Sequence, residues 1–429
     1  MKTNKTILSL AVAGSLLAVS STSNAAGFQL AEYSATGLGR AYAGEAAMAD
    51  NASAQWRNPA MMTYLKGTQI SLGAIYVDPN IDANGTVYDQ NTTISHDVSA
   101  KDYADDAVIP NAYLTHQLNE QYFVGLALSS NYGMSTDLGE DYAASHFGDQ
   151  AEVKTMEANL NLAYKLNQAI SIGGGVRYIM AEGHFGASGP AHSVAPGVAN
   201  NTLKYMEGDT TEWGWQLGTA WQINDHHRVG FTYKSEVDLK LEGTAEGLGF
   251  GLMGTTDKGF LPLTLPATAE LASMYQISDQ LTVLASINWT DWSSFEKLEA
   301  TLDTQGTHNV KDEGWEDNYR FAIGAEYQLD TKWLIRSGIA YDTSAVSDKN
   351  RSATIPETDR TWLSLGAGYQ WSEQLSFDAG FTYIIAKDAS IDEPRGYQDD
   401  AAAAAVGGTF TGETTGNVIL MGIQANYIF

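Results

Sequence analysis

The sequence contains no cysteine. That excludes a disulfide scaffold, thiolate catalysis and cysteine-bound zinc. Charge is sparse as well: Asp, Glu, Lys and Arg make up 17% of 429 residues, against the ~25% usual in soluble globular proteins. Positive charge is scarcest, with 24 Lys and Arg against 51 Asp and Glu, a net charge of −27. Nucleic acid is excluded as a partner on that balance, because phosphate binding needs a basic surface. After the N-terminal segment there is no run of ~18 apolar residues, so membrane-spanning helices are excluded. A membrane β-barrel is not excluded, since its strands alternate. Proline is scarce (9), whereas glycine (42), Tyr (22), Phe (13) and Trp (10) are abundant.

The first residues read as an address. Lys2 and Lys5 form a basic start, Ile7 to Val19 an apolar stretch of signal-peptide length, and Ser23-Asn24-Ala25 a small-residue cleavage site. Residues 1–25 are thus expected to be a secretory signal cut after Ala25, leaving Ala26-Gly27-Phe28 as the mature start.

The rest of the chain alternates with period two. Ile419, Met421, Ile423, Ala425, Tyr427 and Phe429 share one face, and Leu420, Gly422, Gln424 and Asn426 the other, the pattern of a strand with one apolar side. The same alternation recurs from Trp213 to Ile223, Tyr319 to Leu329 and Leu375 to Ile385. A soluble sandwich would alternate too. Aromatics near strand ends (Tyr76, Trp289, Trp333, Tyr341, Trp371, Tyr427) and very short polar connections such as Asn167-Gln168 favour a barrel in lipid. Fourteen strands are expected, at about 68–78, 107–118, 121–134, 155–166, 170–181, 211–223, 227–242, 264–277, 281–292, 316–329, 332–343, 359–371, 374–387 and 417–429. The fold class is therefore all-β: a transmembrane antiparallel β-barrel over residues 68–429, in the bacterial outer membrane. A barrel of that size needs something inside it.

Residues 26–67 do not alternate. The stretch from Gly37 to Ala49 is rich in small residues, and Asn58 is placed to cap a helix with Pro59 at its first position. A small-residue segment ahead of the first strand suits a plug packed in the lumen. Ala26-Gly27-Phe28-Gln29-Leu30, Gly37-Leu38-Gly39-Arg40-Ala41-Tyr42 and Arg57-Asn58-Pro59-Ala60 together resemble the hatch of the FadL-type long-chain fatty acid transporters. Ser130-Asn131-Tyr132-Gly133, Tyr233-Lys234-Ser235-Glu236-Val237, Trp289-Thr290-Asp291-Trp292-Ser293 and Ile355-Pro356-Glu357-Thr358-Asp359-Arg360 agree in the same order.

The resemblance implies a plugged fourteen-stranded barrel and passive uptake of hydrophobic compounds. Outer loops would capture the ligand, an internal pocket would hold it, hatch movement would open a path, and exit would be lateral at a kink in the third strand. The pocket would involve Ala26, Gly27 and Phe28; the hatch motif is Asn58, Pro59 and Ala60; the kink falls at Ser130, Asn131 and Gly133. Leu248, Phe250, Leu252 and Phe260, in what reads as a long loop from Gly243 to Pro262, add apolar contacts. Arg177, Arg320 and Arg336 point inward by parity, as candidate carboxylate partners or as members of a charge network with Glu326 and Asp378. The segment Gly314-Trp315-Glu316-Asp317 is acidic where a basic group is wanted, which leaves neutral or aromatic hydrocarbons as the alternative substrate.

No catalytic constellation is visible, and no enzyme activity or cofactor is expected; an outer-membrane hydrolase or a surface receptor are the rival readings. Asp102, Asp105 and Asp106, or Asp392, Glu393, Asp399 and Asp400, read as solvated loop charges rather than metal ligands, and His226-His227 as a surface turn. Expected partners are a long-chain fatty acid or other hydrophobic small molecule, outer-membrane lipid and lipopolysaccharide, and the barrel assembly machinery through Tyr427 and Phe429.

Overall fold

The computed structural model describes residues 27–89, 94–139, 141–193, 197–395 and 408–429. The signal segment, Ala26, Asp399 and Asp400 lie outside them. Fourteen antiparallel wall strands close into a barrel, the first (Thr68–Asp89) pairing with the last (Thr409–Ile428) from Gln69↔Ile428 to Val87↔Phe410. The alternation follows the solvent on each side. In the last strand Leu420, Gly422, Gln424 and Asn426 are buried in the lumen, while Met421, Ile423 and Tyr427 are exposed outward. Outward Trp213, Trp215, Leu217 and Trp221 repeat this in the strand Thr202–Asn224.

The turns on one rim are built by single side chains. Asn167 Oδ1 accepts from the N–H groups of Ala169 and Ile170, both at 2.8 Å. Asp330 Oδ1 does the same for Lys332 and Trp333, and Ser278 and Ser372 act through their hydroxyls. These are Asx and Ser turns that close a hairpin in few residues.

Strand ends differ from the sequence reading in a consistent way. The strands expected at 68–78, 155–166, 211–223 and 417–429 run instead over Thr68–Asp89, Gln150–Lys165, Thr202–Asn224 and Thr409–Ile428. Their added length lies beyond the lipid belt, where neither face is uniformly apolar and periodicity gives no signal. Three wall strands expected to be continuous are broken. The third is Tyr122–Ser129 then Gly133–Asp137, the seventh His227–Lys234 then Val237–Gly247, the eighth Leu252–Leu265 then Thr268–Gln276. Pro266 interrupts the eighth, having no N–H to give a ladder. The stretch from Gly243 to Pro262 is therefore not a loop. It is a long hairpin, Glu242↔Phe260 to Glu246↔Thr256, turned by a short 3-10 segment at Leu248–Phe250. Short strands at Ile94–Ala100, Lys297–Leu302, Gly306–Asp312 and Ala389–Pro394 join this hairpin on the rim opposite the short turns.

The N-terminal segment from Gly27 to Leu65 fills the lumen, and almost every residue of it is buried. Asn58 caps the 3-10 helix Pro59–Tyr64, its Oδ1 accepting from Ala60 N–H at 3.0 Å. The wall makes room by carrying glycines: a Cβ on Gly218 would stand 1.9 Å from Asn58 Oδ1, and one on Gly230 1.8 Å from the Ala46 carbonyl. Ion pairs tie segment to wall. Arg40 pairs with Glu326 on the wall and with Glu45 and Asp50 of its own segment at 2.7 Å each; Arg57 pairs with Glu270.

Candidate functional site

Above the plugged lumen the largest apolar cluster forms around Phe28. Its ring meets Trp292 edge-on with centroids 4.7 Å apart, Phe295 at 5.7 Å, Tyr132 at 6.1 Å and Trp315 at 6.3 Å. Gly27 precedes it in the left-handed region (φ 61°), and a Cβ there would lie 2.5 Å from Trp315 and 2.6 Å from Trp292. Glycine is required by both conformation and space. Gly27 N–H donates to Glu357 Oε2 at 2.7 Å, and Arg360 pairs with the same carboxylate. Burial, opposed by Arg360, raises the Glu357 carboxyl above its usual range.

Against this cluster lies a narrow cleft, with only about 50 Å³ of open room, lined by Phe28, Met134, Val153, Phe185, Leu241, Leu261, Leu263, Phe295, Leu298 and Ile355, with Glu152, His184, Lys311 and Glu313 at its polar edge. Lys311 is buried and paired with Glu393. Glu313 is buried too: Trp315 Nε1 donates to its Oε2 at 3.2 Å while Oε1 has no partner. Burial raises the carboxyls of Glu313 and Glu393 above their ordinary range, with Lys311 pulling both down. An apolar slot with a polar end has the chemistry that an amphipathic chain needs, but at this volume it must widen to admit one. A broader, open concavity lined by Ile323, Ile339, Leu363 and Phe381 faces outward on the barrel. Its side chains are exposed to lipid and belong to the membrane belt.

The expected site residues fall as follows. Phe28 is at the centre, buried to 1% exposure. Phe250 and Leu252 belong to the same cluster; Leu248 is half-buried; Phe260 lies outside it under the Lys240 ammonium, 4.4 Å from its ring centroid. None of these four lines the cleft. Arg177, Arg320 and Arg336 point into the lumen, each occupied by carboxylates: Arg177 doubly with Glu157 at 2.8 Å, Arg320 with both oxygens of Asp342 at 3.1 Å, Arg336 with Glu326 and Asp378 at 2.8 and 2.6 Å. Asn58 Nδ2 donates to the carbonyls of Ala46 and Thr219 at 2.6 and 3.0 Å, and Pro59 and Ala60 are buried beside Gly173.

The third strand is interrupted at Ser130–Tyr132, where it turns to the N-terminal segment. Leu30 N–H donates to Asn131 O at 2.7 Å, Gly133 N–H to Phe28 O at 2.8 Å, and Gln29 bridges Tyr132. Thus the residue at the centre of the cluster is bonded through its backbone to the break in the wall.

Sequence reasoning missed Lys311 and Glu313 and misread Glu393. The acidic stretch after Gly314 drew attention three residues too far along, and strand parity said nothing about a hairpin outside the belt. Glu393 in particular is a buried partner of Lys311 rather than a solvated loop charge. Among the described residues no group of three metal-ligating side chains comes together.

Comparison with known proteins agrees with this geometry. The family model described as outer membrane protein transport protein (OMPP1/FadL/TodX) matches residues 16–429. The chain is 35% identical to a long-chain fatty acid transport protein of Escherichia coli O6:H1 (strain CFT073), covering all of this chain and 99% of that one. It is also 35% identical to outer membrane protein P1 of Haemophilus influenzae (strain ATCC 51907 / DSM 11121 / KW20 / Rd), with both chains fully covered. The crystal structure of a Pseudomonas aeruginosa FadL homologue superposes with a TM-score of 0.84 at 25% identity, over 94% of this chain and all of the other. The chain belongs to this family of bacterial outer-membrane transport proteins, which are β-barrel channels rather than enzymes.

Proposed function

We propose that this family member admits long-chain fatty acids through the outer membrane by passive diffusion, with residues 26–67 acting as a movable hatch unit. The carrying observation is the double attachment of Phe28: its ring packs beside the apolar cleft and its backbone oxygen accepts from Gly133 at the broken third strand. A ligand that enters the cleft displaces or reorders Phe28, and the same movement loosens the bonds at the break.

The energetics require such a coupling. Each buried methylene contributes ~0.8 kcal/mol, so a long acyl chain is held firmly in an apolar slot. Release then needs a change of shape. The hatch is held by hydrogen bonds and ion pairs, Arg40–Glu326 and Arg57–Glu270 among them. Such contacts exchange for water at modest net cost. The outer hairpin over residues 237–265 offers apolar side chains for first capture, and Lys311 meets the carboxylate at the polar end of the cleft by exchanging its bond to Glu393.

Uptake of labelled oleate tests this in cells lacking their own fatty acid transporter, with and without this gene. Restored uptake, lost on removing residues 26–28, is expected. No uptake despite an assembled barrel, together with uptake of toluene, would reassign the substrate to neutral aromatic hydrocarbons.

A further inference from the structure

We infer that Lys234 is a second carboxylate-binding station, placed at the opening in the wall and selecting acids over neutral hydrocarbons during exit. This rests on the fatty-acid reading above and deepens it.

The second wall strand, Ala107–Gln117, pairs with the third only from Ala112↔Leu128 to Gln117↔Phe123. Among the described residues, 107–111 have no ladder partner on that side, because the third strand has turned inward at Ser130–Tyr132. An isolated bridge, Ala104↔Thr136, closes the wall again farther out. On the lumen side of this gap stand Asn131, Glu157, Arg177 and Lys234, all buried. Glu157 is fully engaged. Arg177 donates to both its oxygens at 2.8 Å, and Asn131 Nδ2 donates to Oε2 at 2.7 Å. Arg177 spends its remaining reach on the Ser235 carbonyl at 2.9 Å.

Lys234 is left over. Its ammonium has one hydrogen-bond acceptor, Asn131 Oδ1 at 3.2 Å, and lies 4.4 Å from the centroid of the Trp56 ring. No carboxylate comes within 4.0 Å of it among the described residues, and its exposure is 4%. An ammonium carries three donors, and a buried cation is costly unless its donors are met. Glu157 and Arg177 cancel each other, so a protonated Lys234 has no carboxylate of its own in this group. Nearby amides are also unspent. Asn159, opposite Arg177 across the ladder, and Asn111, at the rim of the gap, are buried with neither side-chain atom bonded. Asn131 sits in the break itself. A carboxylate passing from the cleft toward the gap would find two free ammonium donors and unpaired amide donors there, while a hydrocarbon would find only desolvated polar groups with nothing to offer them.

The test uses the full-length protein in cells lacking their own transporter, comparing Lys234→Met and Lys234→Arg with the parent. Uptake of oleate and of the neutral alcohol of equal chain length is measured, with oleate affinity in detergent as a separate readout. We expect Lys234→Met to lower oleate uptake about tenfold or more, the scale of a lost charge-assisted hydrogen bond. Alcohol uptake and affinity at the outer cleft should stay as in the parent, and Lys234→Arg should retain oleate uptake. Equal loss of both substrates would overturn the assignment, as would unchanged oleate uptake. On the unmodified protein, a fatty acid carrying a photoreactive group beside its carboxylate should label the segment around Asn131 or Lys234; labelling confined to the Lys311 region would overturn it without any variant having to fold. A parent that imports no oleate at all removes the underlying reading, and that is known before any variant is made.

Discussion

Phe28 and Glu32 lie four residues apart and serve opposite ends. Phe28 packs against Tyr132, Trp292, Phe295 and Trp315, so Phe28→Ala empties the centre of the outer cluster. Truncating a buried Phe typically costs ~3–5 kcal/mol where the site does not collapse. We expect oleate affinity to fall at least tenfold in a titration followed by tryptophan fluorescence, with the barrel itself intact. Glu32 is fully buried, with one oxygen accepting from Ala31 N–H at 2.8 Å and the other without a partner. Burial pushes its carboxyl up from 4.5 to about 7, against the lowering effect of backbone N–H groups and of Arg320 and Arg360. Docked, the segment holds a proton on Glu32 that it would give up on release in the proposed hatch movement. Docking is firmest below about 4.5 and weakens as pH rises to about 7. Protease protection of the N-terminal segment should fall over that window, and Glu32→Gln should flatten the profile. An unchanged profile in the variant would mean that another group carries the effect.

Among the elements, the wall strands carry two separate messages. Their outward faces are set by lipid and their inward faces by the plug. Gly218 and Gly230 are glycine because Asn58 and Ala46 press against them. Gly218→Val should push the 3-10 helix Pro59–Tyr64 off the wall and break the Asn58–Thr219 contact. The expected outcome is loss of coupled oleate uptake with a rise in leakage of small solutes; a plug protected from protease as in the parent would contradict it. The last strand ends on Tyr427 and Phe429, whose rings meet with centroids 4.8 Å apart on the outer surface. The Phe429 ring is exposed, and its backbone N–H donates to the Thr68 carbonyl at 2.9 Å where the barrel closes. Removal of the ring should leave the folded barrel's heat resistance unchanged while lowering the amount assembled in the outer membrane, if this end is read by the assembly machinery.

For the molecule as a whole, the plug is what would separate the proposed gated path from a porin. The Arg40, Glu45, Asp50 and Glu326 cluster and the adjacent Arg336 and Asp378 bind hatch and wall into one charged network across the lumen. In liposome swelling with sugars the intact protein should be closed. Deleting residues 26–67 should open a polar pore, because the inner faces exposed by the deletion carry Arg336, Asp378, Gln424 and Asn426. Sugar entry through the intact protein would count against the hatch.

By itself the sequence determined the barrel, its strand number, the inward set of the three arginines and the capping role of Asn58. Each follows from a local rule: period-two alternation, parity along a strand, and the pairing of a polar cap with proline. What only the tertiary structure decided is where chemistry is left unpaired. Lys234 and Arg177 look alike along the chain, yet one is bound on both sides by Glu157 and the other has a single amide acceptor. Lys311 reaches the cleft because a hairpin outside the lipid belt folds back against Glu393. The break at Ser130–Tyr132 exists because the N-terminal segment, about a hundred residues earlier, takes over its hydrogen bonds. Periodicity records what each residue faces, lipid or lumen. Partnership across a closed barrel depends on strands far apart in sequence, and that is fixed only when the wall shuts around its plug.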